Sequence, residues 1–390
     1  MTNAAVYLDA ASSEPMHPAA RDTLLAALEH GYADPRRLHG PGRNARLLLD
    51  NAREVVAEVL GVRRDEVLFT SSGTRAVQLG LLGLAAARPG RSASGPPAAG
   101  LPADGRRIVH SAVEHQAVTD AAAWWGEPVT VAVDTTGRVL LEALGEALGK
   151  AAPGADAIAL QSANHEVGTV QPVAEAAELA ADRGVPLFVD ACASLGRLPL
   201  PDGWDALAGS AHKWGGPAGV GVLLVRHRAR WSHPFPAGDP LARVDDGFPD
   251  VAGTLAAAAA LQAVTTEREQ VGARQRELID LIRASVAHIP DVDVVGDPQG
   301  RLPHLVTFSF LYVDGEALVT ELDRLGFGLA SGSACAVDTR EPSRVLAAMG
   351  ALTHGNVRLS LTRDTSRADV ERFLAVLPGV IRGLRERAGL

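Results

Sequence analysis

One lysine stands out because of its neighbours. Lys213 lies in the stretch SAHKWGGPAGVG (210–221), between a histidine and a tryptophan and just before a glycine-rich turn and an apolar run. An amine at the mouth of a buried strand is poorly solvated, which lowers its pKa and makes it a nucleophile that can form a Schiff base. This chemistry needs further groups, which must come from other parts of the chain.

Polar residues that could serve this lysine follow other predicted strands. They are the turn Ser72-Gly73-Thr74, then His115, Asn164 and Asp190. In a parallel α/β sheet, ligands bind where the carboxyl ends of the strands meet, and a helix N-terminus binds phosphate. Each residue also fits a structural role: the turn and Asp190 as helix caps, His115 as a core histidine, and Asn164 as a turn residue.

The combination indicates one cofactor. Pyridoxal phosphate (PLP) requires a lysine, a phosphate cup, a carboxylate for the ring nitrogen and a flat group over the ring. Lys213, the 72–74 turn, Asp190 and His115 supply these four functions. Neither GxxxxGK[ST] nor GxGxxG after the first strand is present, and no HExxH or clustered Cys/His pattern indicates a metal. The sequence therefore predicts a PLP enzyme without a metal ion.

The elements that must position these groups alternate between strand and helix along the first two-thirds of the chain. Apolar runs predict strands at 66–69, 107–111, 128–133, 157–161, 186–191 and 219–225. Helical periodicity lies between most of them, for example at 173–183, and precedes them at 19–30 and 43–60. This alternation predicts a mainly parallel sheet covered on both faces.

A second, smaller α+β domain is expected after a long Ala-rich helix near 253–286. Its predicted elements are strands near 292–295 and 304–310 and helices at 315–325 and 366–387. We therefore expect a PLP-binding large domain at 15–255. Residues 256–390, with 1–14, would form the small domain that carries Cys335. The Gly/Pro/Ala/Ser-rich stretch 91–105 is typical of a mobile surface loop.

Composition excludes several function classes. The 390 residues include 37 Lys and Arg against 46 Asp and Glu, a net charge of −9, which argues against a nucleic-acid-binding face. No secretory signal and no apolar run of about 20 residues is present, so we expect a cytoplasmic protein without a membrane span. The two cysteines, Cys192 and Cys335, cannot form a disulfide framework and lack CxxC spacing.

Motifs along nearly the whole chain resemble the class V aminotransferase-fold PLP enzymes. They are YLDAASS (7–13), HGPGRNAR (39–46), EHQAV (114–118), NHEVG (164–168), VDACAS (189–194) and SAHKWGGPAGVG (210–221). The stretches SGSACAVDTREPSRVLAAMG (331–350) and VRLSLTRDT (357–365) resemble NifS-like cysteine desulfurases. The resemblance implies the PLP-dependent transferase fold type I. This α/β fold has a large domain with a mainly parallel seven-stranded sheet and a smaller α+β C-terminal domain.

The resemblance also implies a role for each matching residue. Lys213 would bind the cofactor covalently, Asp190 would pair with the ring nitrogen, and His115 would stack on the ring and help in proton transfer. Asn164 would contact the hydroxyl side of the ring, and Arg358 would grip the substrate carboxylate. The phosphate would be held by Ser72, Gly73, Thr74, Ser210 and His212. Thr254 would reach the phosphate of the neighbouring subunit, which implies a homodimer.

The reaction implied is the conversion of L-cysteine to L-alanine. Cys335 would take the sulfur as a persulfide and deliver it to an acceptor protein. Its Ser/Gly/Ala surroundings, with charged residues just beyond, are typical of an exposed thiol that can ionise, whereas Cys192 fits a small buried hydrophobe.

Three departures from the family pattern leave alternatives open. Ala193 replaces the usual Gln that tunes the ring, Asp34-Pro35-Arg36-Arg37 replaces NPSS, and Val251-Ala252-Gly253-Thr254 replaces RSGT. One alternative is a PLP-dependent C–S lyase or selenocysteine lyase that does not require Cys335. Another is a PLP-type fold that acts as a scaffold without turnover. The sequence does not name the sulfur acceptor.

Overall fold

The structure, a computed structural model, describes residues 5–88, 105–150, 154–235, 247–331 and 342–389. Its strands are β1 (Val6–Tyr7), β2 (Val67–Thr70), β3 (Arg107–Ser111), β4 (Glu127–Val131), β5 (Ala157–Gln161), β6 (Leu187–Asp190), β7 (Ala206–Ser210), β8 (Gly221–Val225), β9 (Val292–Val295), β10 (Leu305–Phe310), β11 (Phe327–Gly328) and β12 (Asn356–Ser360). Its helices are α1 (Pro18–His30), α2 (Gly40–Leu60), α3 (Gly73–Ala86), α4 (Gln116–Trp125), α5 (Leu141–Lys150), α6 (Val173–Asp182), α7 (Val251–Val286), α8 (Gly315–Arg324), α9 (Arg344–Met349) and α10 (Arg367–Arg387). Among these helices, none has the length and apolarity that a membrane crossing requires.

A seven-stranded sheet organises the first part of the chain, in the order β2-β8-β7-β6-β5-β3-β4. Strands β3 to β7 pair in parallel, and only β8 runs antiparallel to its neighbours. Strands β5, β6, β7 and β8 are buried along their whole length, because helices cover both faces. The prediction of a mainly parallel sheet is confirmed. Strand β7 was missed, because its sequence ALAGS lacks β-branched and aromatic residues.

The direction of the strands explains why the polar groups meet. Strands β3, β5, β6 and β7 are parallel, so their carboxyl ends lie at one edge of the sheet. Strand β2 is antiparallel to β8, which is antiparallel to β7, and the two reversals return the end of β2 to that edge. The turns that follow these five strands carry the polar residues predicted from the sequence.

A smaller α+β unit follows, built on the antiparallel sheet β12-β10-β9 and the parallel pair β1-β11. Helix α7 joins the two units. Its residues Ala256 to Leu261 pack in the core of the large sheet, and Leu278 to Val286 pack in the second core with Phe308 and Phe373. The core of the large sheet therefore extends past residue 255, and the division at 255/256 stays a prediction. The stretch 91–104 lies outside the described residues.

The N-terminal segment, residues 5–14, connects the small unit to the Lys213 turn. Strand β1 pairs with β11, and the backbone N–H of Ala11 donates to Ser360 Oγ at 2.8 Å. At its other end the backbone N–H of Glu14 donates to the carbonyl oxygen of His212 at 2.9 Å. The segment therefore pairs with a strand of the small unit and also contacts the turn that carries Lys213.

Candidate active site

A cavity of about 180 Å³ lies at the edge of the sheet where these strands end. Its lining includes eight of the predicted site residues: Ser72, Gly73, Thr74, His115, Asp190, Ser210, His212 and Lys213. The structure thus brings the amine, the carboxylate, the imidazole and the helix N-terminus together. Asn164, Thr254 and Arg358 are not among the lining residues, and Cys335 lies outside the described residues.

One end of the cavity is formed by the first turn of α3. Ser72 caps this helix, since its Oγ accepts a hydrogen bond from the backbone N–H of Arg75 at 3.0 Å. The first N–H groups of a helix have no partner within the helix and attract anions. Ser210 Oγ lies 3.2 Å from His212 Nδ1 on the neighbouring turn. This end of the cavity suits a phosphate.

Gly73 allows the helix to approach β7 closely. A Cβ atom at this position would lie 2.6 Å from Ser210 Cβ and 3.2 Å from Cys192 Sγ, which is closer than carbon atoms pack. Any larger residue would fill the space that the phosphate end of the cavity needs.

We expect Gly73→Ala to weaken cofactor retention and to destabilise the fold by about 1–3 kcal/mol, because the new methyl group overpacks a buried contact. Thermal unfolding and equilibrium dialysis of PLP measure the two effects. Gly145→Ala is the matched control, since Gly145 lies in α5 with no atom within 4 Å of the added Cβ. That change should stabilise the protein by about 0.5–1 kcal/mol. Equal PLP affinity in Gly73→Ala and wild type would contradict the assignment.

The imidazole of His115 is held in one orientation. His115 caps α4, and its Nδ1 accepts from the backbone N–H of Ala117 at 3.1 Å, so the proton of the neutral ring is on Nε2. Burial lowers the pKa of His115. Asp190 opposes this shift, and Lys213 adds to it. A neutral, fixed imidazole beside the lysine can stack on an aromatic ring and exchange a proton.

Two carboxyl groups, Asp190 and Glu114, belong to this part of the site. Asp190 Oδ1 accepts from the backbone N–H of Cys192 at 2.9 Å and faces the cavity. Glu114 is buried beneath it, with Oε1 accepting from Gln161 N at 2.9 Å and Oε2 without a partner. Burial raises the pKa of Glu114 well above its usual range, with Asp190 adding to the effect. Burial thus favours the protonated form of Glu114, and Asp190 is the carboxyl group that faces the cavity and could pair with a ring nitrogen.

Cys192 is part of the wall of the cavity. Burial, followed by the charge of Asp190, raises the pKa of its thiol well above the usual range. A thiol that stays protonated is a poor nucleophile, so its packing role fits the interpretation made from the sequence.

A buried ion pair holds the backbone of Lys213. Arg197 Nη2 donates to the carbonyl oxygen of Lys213 at 3.1 Å and to Glu14 Oε2 at 2.8 Å. Glu14 Oε1 accepts from the backbone N–H of Arg363 at 3.0 Å, and only 4% of the Glu14 side chain is exposed. The pair therefore links the N-terminal segment, the large sheet and the small unit at the lysine. No local motif signals it, because Glu14 and Arg197 are 183 residues apart.

Replacing Arg197 with methionine should cost about 3–5 kcal/mol, because it leaves the Glu14 carboxylate buried without its partner. Chemical denaturation followed by circular dichroism measures the loss. The surface pair Arg21–Asp22, with side chains 65% and 68% exposed, provides the control, and Arg21→Met should change stability by no more than ~1 kcal/mol. Equal effects for the two variants would show that the buried pair does not hold the lysine turn.

Two predicted ligands next to the cavity are already engaged in hydrogen bonds. Arg358 donates from Nη2 to Asp9 Oδ1 at 2.9 Å and to Ser12 Oγ at 2.6 Å, and from Nη1 to the carbonyl oxygen of His165 at 3.1 Å. Of its five N–H groups two remain, enough for one carboxylate. Asn164 holds its own turn, since Oδ1 accepts from the backbone N–H groups of Glu166 and Val167 at 2.8 Å each.

Thr254, at the start of α7, does not line this cavity. It lines a second cavity of about 380 Å³ together with Ser71 and three arginines, Arg36, Arg46 and Arg53. Its Oγ1 donates to the carbonyl oxygen of Asp250 at 2.5 Å. Thr254 therefore does not contribute to the cavity of its own chain.

The residues that face the first cavity fit PLP. The amine of Lys213, the carboxyl group of Asp190 and the imidazole of His115 border one cavity, and the helix N-terminus at Gly73 forms one end of it. A Cβ atom at Gly73 would collide with Ser210, so glycine allows the helix N-terminus to lie this close to the turn that carries the lysine.

Fold and site define a class of enzyme: the chain belongs to the aminotransferase class-V family, whose model matches residues 6–373. Within that family it is a cysteine desulfurase. It is 38% identical to the IscS-like cysteine desulfurase of Mycobacterium tuberculosis over 98% of both chains. It is 32% identical to cysteine desulfurase IscS of Dictyoglomus turgidum, over 97% of this chain and 95% of the relative. A solved structure of a NifS-like protein superposes with a TM-score of 0.84 at 24% identity, covering 97% of this chain and 100% of the other, and confirms the fold.

Proposed function

We propose that this cysteine desulfurase uses PLP bound at Lys213 to convert L-cysteine to L-alanine, with Cys335 as the sulfur acceptor. The observation that carries the proposal is the convergence of Lys213, Asp190, His115 and the 72–74 turn on one cavity. PLP, when bound, supplies an electron sink that stabilises negative charge on the substrate Cα.

The residues of the chain would bind the cofactor and the substrate and transfer the Cα proton. Asp190 would pair with the ring nitrogen. Asn164 would contact the ring hydroxyl through its remaining amide N–H. The first turn of α3 would hold the phosphate with Ser210 and His212. Arg358 would bind the substrate carboxylate through its two remaining N–H groups. Lys213 or His115 would take the proton from the substrate Cα.

Cys335 would complete the reaction by attacking the sulfur of the substrate as a thiolate. The new bond joins the two sulfur atoms, the carbon–sulfur bond breaks, and the substrate Cβ takes up a proton to become the methyl group of alanine. The carbon is reduced and the sulfur pair is oxidised to a persulfide, so no external oxidant is needed. The persulfide would then pass to an acceptor protein.

The second cavity supports a homodimer as part of this proposal. Thr254 is buried and lines a recess with three arginines and the aspartates Asp50 and Asp250. Arg36 pairs with Asp34, and Arg53 pairs with Asp50. A partner subunit that presented its phosphate site there would meet arginine side chains such as Arg46, which could replace the cation that the VAGT stretch lacks.

Incubation of the PLP-loaded protein with L-cysteine tests the proposal directly. Amino-acid analysis should show alanine, and mass spectrometry should show one additional sulfur atom on the peptide that contains Cys335. Alanine with free sulfide and an unmodified Cys335 would point to a lyase that does not use the thiol. Absence of alanine would refute the desulfurase assignment.

A further inference from the structure

A second imidazole borders the cavity, and the proposed function gives it no role. His165 lines the cavity with its ring centroid 5.1 Å from that of His115, at an interplanar angle of 70°. The residue is 9% exposed. Within the described ranges its ring nitrogens make no hydrogen bond, and the nearest carboxylate oxygen, Glu166 Oε1, lies 3.6 Å from Nε2. The ring of His165 therefore borders the cavity, where a bound ligand could contact it.

His165 contacts two residues of the proposed site. Its carbonyl oxygen accepts from Arg358 Nη1 at 3.1 Å, and its ring contacts that of His115. If Arg358 binds the substrate carboxylate, as proposed above, the substrate would lie next to the residue whose carbonyl oxygen this arginine contacts. The side chain that carries the sulfur would then face the cavity that His165 lines.

The surroundings keep His165 neutral. Burial lowers its pKa well below the usual value, and His115, Lys213 and Arg358 add to the shift. Its acidic neighbour Glu166 has a pKa raised by burial, and Glu166 Oε2 accepts a hydrogen bond from Ser343 Oγ at 2.6 Å. A neutral imidazole carries one N–H and one lone pair, so it can accept a proton at one moment and return it at the next.

We propose that His165 is a second acid–base residue of the site, which carries a proton from the substrate sulfur to Cβ. The inference rests on the proposed function. In this step the thiolate bonds to the substrate sulfur as the carbon–sulfur bond breaks, and the electron pair of that bond goes to Cβ. The S–H proton passes to the lone pair of the imidazole and leaves its electron pair on the persulfide anion. The imidazolium gives the proton to Cβ, which becomes the methyl group. Charge and atoms balance: thiolate plus substrate thiol gives persulfide anion plus methyl group.

Hydrogen exchange of L-alanine in D₂O separates this role from the others. When His165 runs the last proton transfer in reverse, it removes a hydrogen from Cβ of alanine and can return a deuteron. The α-hydrogen is exchanged in the same way by Lys213 or His115. Wild-type holoenzyme should exchange both, as followed by proton NMR. His165→Asn keeps a polar group of similar size but removes the titratable ring. We expect it to slow β-exchange by about 100-fold, while α-exchange changes by less than about threefold.

His110→Asn is the matched control. His110 is a buried histidine on β3, 5% exposed, with Nδ1 bonded to the carbonyl oxygen of Ser111, and it does not line the cavity. The ratio of β- to α-exchange should be the same in this variant as in wild type. An equal loss of both exchanges in His165→Asn would indicate a structural role and overturn the inference, as would an unchanged ratio.

Histidine NMR of the holoenzyme gives a readout independent of turnover. The ¹⁵N signals that disappear in His165→Asn should be those of a neutral ring throughout the range from about pH 6 to 8. A cationic His165 at neutral pH would overturn the inference. If the wild type neither exchanges the α-hydrogen of alanine nor forms alanine from cysteine, the proposed function fails, which is a different result from a failure of His165 alone.

Discussion

Replacing Lys213 with alanine is expected to lower alanine formation by at least about 1,000-fold and to abolish the covalent attachment of PLP. The change removes both the amine that binds the cofactor and one of the two candidate bases for the Cα proton. The absorbance of the bound cofactor and a coupled assay for alanine measure the two effects.

Because the chain has only two lysines, the residue that binds the cofactor can be identified directly. The only other lysine is Lys150, at the end of α5. Reduction of the loaded protein with borohydride should therefore label a single peptide, the one with Lys213, and Lys150→Ala should retain the label and the activity. Label on Lys150, or a labelled Lys213→Ala variant, would contradict the assignment.

Cys335→Ser should stop persulfide formation and reduce alanine formation from L-cysteine by at least about 100-fold, because a hydroxyl group cannot accept the sulfur and is not ionised at neutral pH. Binding of PLP should be unchanged, since the residues that hold the cofactor are elsewhere. Mass spectrometry of the cysteine peptides and a single-turnover alanine assay measure the result.

Cys192 serves as the internal control for this variant. It is the only other cysteine, and burial keeps its thiol protonated. No additional sulfur should therefore appear on it, in the wild type or in Cys335→Ser. Sulfide release at the wild-type rate in Cys335→Ser would show that the thiol is not the acceptor and would favour the lyase alternative.

The sequence predicted that these residues would lie at one edge of the sheet, because they follow the carboxyl ends of its strands. Ser72, His115, Asp190 and Lys213 each follow a strand or open the next helix, and parallel strands end at one edge. The large helices and most strands were also predicted within a few residues, since long apolar runs and helical periodicity give strong signals. Strand β7 gave none, because small residues show no strand preference.

Contacts between distant parts of the chain could not be predicted. The pairing of Glu14 with Arg197 depends on how the N-terminal segment crosses the lysine turn, and no periodicity encodes that path. His165 was overlooked because the sequence showed a histidine beside Asn164 in a turn. Only the fold shows that its ring points into the cavity. The hydrogen bonds of Arg358 to Asp9 and Ser12 also join distant parts of the chain and could not be predicted from the sequence.

The N-terminal segment also sets the order in which the enzyme can be assembled on the ribosome. Asp9 bonds to Arg358 across 349 residues, and Glu14 bonds to Arg363 across the same separation. The large sheet can pair as soon as β8 has emerged, but Asp9 has no Arg358 to pair with, the arginine proposed to bind the substrate, until almost the whole chain has been translated. A nascent chain would therefore acquire a place for the cofactor before it acquires a complete place for the substrate.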